Sequence, residues 1–319
     1  MMSARRRTRA LPVPARWLGF GLFAIALAGG IWFLLRPPST RKELRTLVFS
    51  AWSPGSRVRV NEVVADLWDA YLVPDPPLRA PATESETAVL GGWPQPSGFR
   101  HGPITLLQNQ AYAAGWVDRL RCSAWVAYRV GGIAPRLRSP PRPDRFVVDR
   151  RLPTPVKPDD YLRTGYDRGH LAPNLAIGRW FGPEAQRETF LMSNVVPQAP
   201  ELNGGLWREL ESRIAYSYPA RLEQVWVLCG PLFDAEPRRL AQSGIALPSA
   251  FYLIVLDVSD GRIRTLALIL PQERSKEATL ETALTSIDAI ELQSGLDFLA
   301  LLDDQDELAT ESRRSYRVW

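Results

Sequence analysis

From residue 104 onward, short apolar runs of β type alternate with turn-forming residues: ITLLQ (104–108), AWVAYRV (124–130), VWVLCG (225–230), FYLIVLD (251–257) and IRTLALIL (263–270). Runs of this length and composition, bounded by Gly, Pro, Asn and Asp, predict strands. Between them the apolar period lengthens to that of an amphipathic helix at PEAQRETFLM (183–192), GLWRELESRIAYSY (205–218) and LETALTSIDAIEL (280–292). No internal repeat interrupts the series. Such a mixture predicts an α+β fold, a mixed sheet core flanked by helices. The last stretch, DDQDELATESRRSYRVW (303–319), is charged and is expected to be peripheral.

The first hundred residues follow a different pattern. Trp17 to Leu35 are 19 uncharged, predominantly apolar positions, long enough to cross a bilayer as one transmembrane helix. The basic segment 1–16, with Arg5, Arg6, Arg7, Arg9 and Arg16, precedes them. By the positive-inside rule this is a single-pass protein whose main body lies on the non-cytoplasmic side, periplasmic or extracellular. Two alternatives stay open: Ala26-Leu27-Ala28 imitates a signal-peptide cleavage site, which would give a secreted protein, and the acid-free, Arg-rich start suits delivery to mitochondria and their inner membrane. Residues 36–100 contain Pro-rich stretches and one amphipathic piece, VNEVVADLWDAYL (60–72). They are expected to form a juxtamembrane linker with a short helix, leaving 101–319 as the main folded domain.

Charge changes the picture less than it first promises. The net formal charge is +5, yet residues 1–45 hold nine basic side chains and one acidic. The rest holds 30 basic against 33 acidic, so any grip on a polyanion must come from a local arginine cluster, not from a global field. Cys122 and Cys229 sit in apolar runs without metal-binding spacing, which argues against zinc; pairing and two buried free thiols both fit.

Only two histidines occur, so few side chains can move a proton near pH 7. His101 lies in the Pro/Gly-rich stretch PSGFRHGP and is expected at the surface. His170 closes YDRGH and is the natural general base for activating a water. A second block, FLMSNVVPQAPELNGGLWRELE, supplies Asn194, Asn203 and Glu211.

Together the DRGH block and this Asn/Glu series resemble the DNA/RNA non-specific endonuclease family, with supporting matches at Trp125–Tyr128, Cys229–Leu232, Leu247–Tyr252 and Ser294–Leu296, in order, over roughly residues 100–305. The resemblance implies the ββα-metal nuclease fold and an enzyme that hydrolyses phosphodiester bonds of DNA and RNA with little sequence preference. It implies His170 as base and Asn203 as the direct protein ligand to Mg2+, with Mn2+ as an acceptable substitute; an amide oxygen suits such a hard cation. Asn203 is also read as a cap for the following helix, and i,i+4 steps through Trp207 to Glu211 would set all three on one ridge, with Glu211 holding metal waters from outside the first ligand shell. Arg168 would fork onto the scissile phosphate. Asp167 would accept from a metal water or position a neighbour, and Asn194 would hydrogen-bond near base or substrate. The family's upstream arginine matches Arg142, with Arg145 as the alternative. The resemblance further implies 5′-phosphate products and a homodimer, although the chain carries no interface signal of its own. Two other readings remain: a phosphodiesterase acting on small nucleotides or other diesters, and a catalytically silent binding module of the same fold.

Overall fold

The computed structural model of this protein describes residues 27, 30–31, 33–34, 60–72, 89–132, 139–222, 224–259, 261–273 and 277–319. The chain divides into two compact units, Met1–Arg45 and Thr46–Trp319. The membrane anchor expected over 17–35 falls outside the described residues except at Leu27, Gly30, Ile31, Phe33 and Leu34, which are helical. Among the described residues no helix is long and apolar enough to cross a membrane.

Within Thr46–Trp319 the chain runs through α1 (Val60–Leu72), β1 (Gln95–Pro96), β2 (Thr105–Gln108), β3 (Tyr112–Val117), β4 (Cys122–Gly131) and β5 (Asp167–His170). Next come α2 (Asn174–Phe181), α3 (Pro183–Glu188), β6 (Val195–Gln198) and a long helix α4 over 200–222. The remainder is β7 (Gln224–Leu232), β8 (Ala250–Ser259), β9 (Arg262–Pro271), β10 (Leu284–Thr285), α5 (Ile287–Ser294), β11 (Leu296–Asp297) and α6 (Asp304–Glu311). Seven strands form an antiparallel sheet in the order β10-β9-β8-β7-β4-β3-β2, and β5 pairs with β6 in a separate ribbon.

The central strands are buried on both faces: every described position of β3 is buried, and nearly every one of β4. Neighbouring residues on β8 show what covers them. The Phe251 ring meets Trp207 of α4 at 5.5 Å, and the next residue, Tyr252, meets Phe298 at 5.5 Å. Because successive strand side chains point to opposite faces, α4 covers one face of the sheet and the segment after β11 covers the other.

Three expectations are corrected by bonds to residues farther along the chain. The helix expected over 280–292 begins only at Ile287, because Leu284 and Thr285 pair with Leu268 and Ala267 on the sheet edge. Ser286 then caps the shortened helix through the Ala289 amide at 3.3 Å. The helix expected over 183–192 stops at Glu188, since the backbone of Phe190 and Met192 bonds that of Val147 at 2.9 Å each. The tail is not peripheral. Asp303 caps α6, Val318 and Trp319 are buried, and the Arg213 guanidinium donates to the Trp319 carbonyl at 2.7 Å.

Residues upstream of 101 also join this unit. Val63, Val89 and Leu90 are buried, and β1 pairs with β11. Asp66 of α1 receives Arg221 and Arg317 at 3.0 Å each, while Glu62 lies 3.2 Å from Arg221, itself fully buried.

Candidate active site

The DRGH sequence forms β5 and lies antiparallel to β6, with Asp167 opposite Gln198 and His170 opposite Val195. Glycine is needed at 169 because a Cβ there would drive into the Gln198 side chain and break the ribbon's close packing. From β6 the chain turns directly into α4, with Ala199 at the cap position and Pro200 first in the helix, where a missing N–H costs nothing. Gln272 secures this corner from β9's far end, accepting from the Ala199 amide and donating to the Pro197 carbonyl, both at 2.9 Å.

Two bonds latch α4 onto β5. The Asn203 Nδ2 donates to Asp167 Oδ2 at 2.8 Å, and the Trp207 indole donates to the His170 carbonyl at 3.1 Å. Asn203 therefore sits inside the first turns of α4 in right-handed helical conformation and is not its cap, which corrects the capping expectation. The expected regular ridge through Trp207 to Glu211 is also altered. Residues Asn203–Trp207 form a wide π turn, with Gly205 outside helical geometry at φ −107° and ψ −112°. Such widened turns often mark functional helices.

His170 is buried in an aromatic box. Its ring lies 5.1 Å from Phe146 and 4.9 Å from Phe190, which lie 5.0 Å from each other. The Arg168 guanidinium covers the Phe146 ring at 5.0 Å, and that of Arg142 covers Phe190 at 5.1 Å. Burial, assisted by the positive charge of Arg142, lowers the His170 pKa to about 3, so the imidazole is neutral across the physiological range. Its Nε2 is buried and has no hydrogen-bond partner.

Glu211 shares this environment. Burial raises its pKa to about 7, opposed by the nearby charges of Arg142 and Arg208. Arg142 is thus the arginine that bears on both His170 and Glu211. Arg145 is exposed and makes no ring or ion-pair contact among the described residues.

Asn194, expected near base or substrate, lies against the turn that follows the base. It is fully buried, its Oδ1 accepts from the Ala172 amide at 2.8 Å, and its Nδ2 donates to the carbonyls of Ala172 at 2.9 Å and Thr189 at 2.8 Å. Its amide is spent on backbone, so Asn194 positions the turn that follows His170. A neighbouring tie runs from Ser193 Oγ to Asp149 Oδ2 at 2.6 Å. Burial alone would raise the Asp149 pKa, but hydrogen bonds from Arg151 and Ser193 hold it below the usual range.

His101 is likewise not a surface residue. It exposes 9% and stands between Phe99 and Phe233 at 5.5 and 5.7 Å. Cys122 and Cys229 are both buried free thiols, and burial pushes each pKa up. Phe146, Phe190 and Gln272 were not singled out by the sequence. The only signal for Phe146 was the aromatic-then-aspartate stretch RPDRFVVD around the upstream arginines.

The chain's likeness to known proteins agrees with this arrangement. Human Endonuclease G, mitochondrial (Homo sapiens), is 31% identical over 215 residues, covering 62% of this chain and 70% of that protein. A protein named Nuclease from Nostoc sp. is 26% identical over 234 residues, covering 68% and 83%. The matched relatives are spanned to different extents, from 47% of the mouse mitochondrial nuclease EXOG to 83% of the Nostoc protein. A solved chain from the EndoG/EndoGI complex shares the fold, with TM-score 0.55 at 23% identity over 65% of this chain and 90% of that one. The profile of the DNA/RNA non-specific endonucleases matches residues 98–305, which include the ribbon, the aromatic box and α4. On that match the chain belongs to the DNA/RNA non-specific endonuclease family and is a phosphodiester-hydrolysing nuclease.

Proposed function

We propose that this protein is a divalent-metal-dependent endonuclease that cuts DNA and RNA with little sequence preference, with His170 as general base. The observation that carries this reading is a neutral, buried imidazole between two rings that each bear a guanidinium, latched to the Asp167–Asn203 pair. A neutral imidazole is in the protonation state that accepts a proton from the attacking water. Arg142 and Arg168 would bind the nonbridging phosphate oxygens and offset the charge that gathers on them in the pentacovalent transition state.

The residues fit a hard cation. With its amide nitrogen spent on Asp167, Asn203 turns its oxygen away from that bond, and Glu211 is a half-buried carboxylate whose ionisation a cation would favour. Asn203 would hold the ion directly, Asp167 would fix the Asn203 amide, and Glu211 would orient waters around the ion. When bound, Mg2+ would supply Lewis-acid stabilisation of the phosphate. The chain contains no recognisable base-reading module, and contacts confined to the phosphate carry no sequence information.

The reading includes an anchor at residues 17–35 that holds the nuclease on the non-cytoplasmic side of a membrane, supported by their uncharged run and the preceding arginines. The relatives named as mitochondrial nucleases favour the mitochondrial alternative for its address.

The test uses full-length protein in detergent with supercoiled plasmid, RNA and a small chromogenic phosphodiester, each with Mg2+ or EDTA. Metal-dependent nicking of plasmid and RNA is expected, falling about 10²–10⁴-fold in His170→Ala. Turnover of the small diester alone would replace this reading with the small-phosphodiester one, and a folded protein inert on all three would leave a binding module.

A further inference from the structure

A second concentration of charge lies away from the residues discussed so far. Ligand oxygens of Asp288, Glu291 and Glu311 all fall within 4.8 Å of one another, as do those of Asp297, Glu307 and Glu311. Glu311 belongs to both triads. A calcium-class cation binds oxygen at about 2.3–2.6 Å, so oxygens on opposite sides of it stand about 4.6–5.2 Å apart. The oxygens of each triad are close enough to share one such ion.

We propose that these five carboxylates form a divalent-cation site of the calcium class that clips α6 to α5 and β11 and shares no residue with the nuclease centre. The first support is Glu311, which exposes only 6% yet has a buried Oε1 without a hydrogen-bond partner. A buried carboxylate oxygen left in this way is costly unless a proton or a cation satisfies it. The second support is access. A cleft of about 530 Å³ is lined by Asp288 and Glu291 together with Arg100, His101 and Gly295, so two carboxylates of the first triad face an opening to solvent.

The backbone converges on the same point. Gly295 takes a left-handed conformation at φ 70° to end α5, which returns the chain through Leu296 and Asp297. Glu291 Oε1 accepts the Phe298 amide at 2.7 Å, fixing this return beside α5. Calcium suits this geometry better than magnesium, because carboxylates from three separate elements offer an irregular shell that Ca2+ tolerates and Mg2+ does not. Glu307 and Glu311 also lie beyond residues 98–305, so the complete cluster is not part of the family match.

Equilibrium dialysis with radiolabelled Ca2+ on metal-stripped full-length protein tests the proposal, using an Asn203→Ala background to silence the nuclease centre. Asn203→Ala should still bind Ca2+ and melt at a higher temperature in Ca2+ than in EDTA. Adding Glu311→Gln should weaken binding by at least about ten-fold and remove the melting shift. Asp288→Asn, at an exposed position, should weaken binding without disturbing the fold and decides the matter if Glu311→Gln does not fold. Absence of Ca2+ binding in Asn203→Ala, or binding unchanged in both carboxylate variants, would overturn the site.

Discussion

His170 is defined less by its own sequence neighbours than by the residues that desolvate it. Phe146 and Phe190 exclude water from the imidazole, and Arg142 adds like charge, so the ring resists protonation until about pH 3. The unfolded chain protonates the same ring near pH 6.5. The folded pKa is the lower of the two, so its stabilising contribution is complete above pH 6.5 and is lost as the pH falls from 6.5 towards 3. Urea midpoints of wild type and His170→Gln between pH 7.5 and 4 should therefore converge as the pH drops, and parallel curves would sink the assignment. Asn194 calls for a different expectation. Asn194→Ala strands two buried carbonyls and one amide, each costing about 1–3 kcal/mol when left unsatisfied. Stability should fall by at least about 2 kcal/mol in thermal melts. Because this residue positions without touching substrate, kcat should drop with KM nearly unchanged; a change in KM alone would return Asn194 to the substrate.

At the scale of elements, α1 is the most exposed to a single change. Its Asp66 is 1% exposed and balances Arg221, which is fully buried, as well as Arg317. Removing Asp66 leaves the fully buried Arg221 with Glu62 alone at 3.2 Å to offset its charge, so Asp66→Ala should destabilise by up to about 3–5 kcal/mol. The double variant Asp66→Ala/Arg221→Met should recover part of this in thermal melts, and equal instability of the two would refute the pairing. Elements also mark how far the sequence could be read. The strands at 124–130, 225–230, 251–257 and 263–270 and the core of α4 were legible, because their apolar runs are local signals. DRGH and its Asn/Glu series pointed to one neighbourhood, and Asp167, Arg168, His170 and Asn203 do meet there. What stayed hidden depends on partners far along the chain. The end of α3 is set by Val147, the start of α5 by the edge of β9, and the turn after His170 by Asn194. Phe190 was hidden for the same reason, since it reads as one more apolar helix position until its contact with His170 is known.

For the whole molecule, charge sets the terms of encounter with nucleic acid. Residues 46–319 carry more acid than base, so attraction rests on a few arginines near the site. With Arg142 and Arg168 as the principal phosphate contacts, log affinity for duplex DNA against log salt should have a slope near −2. Fluorescence anisotropy in EDTA, where cleavage is silent, would measure it, and a slope steeper than about −5 would demand a wider basic surface. The two latches between β5 and α4 carry a different implication. Asn203 holds Asp167 and Trp207 holds His170, so the groups proposed to accept the proton and to hold the cation are fastened together within residues 167–222. Arg142 approaches the same spot from a distant stretch of chain. On the proposed roles, base, cation ligand and one phosphate-binding arginine, Arg168, travel in one contiguous stretch, whereas Arg142 reaches the same spot from elsewhere and is the part of the grip that can vary separately.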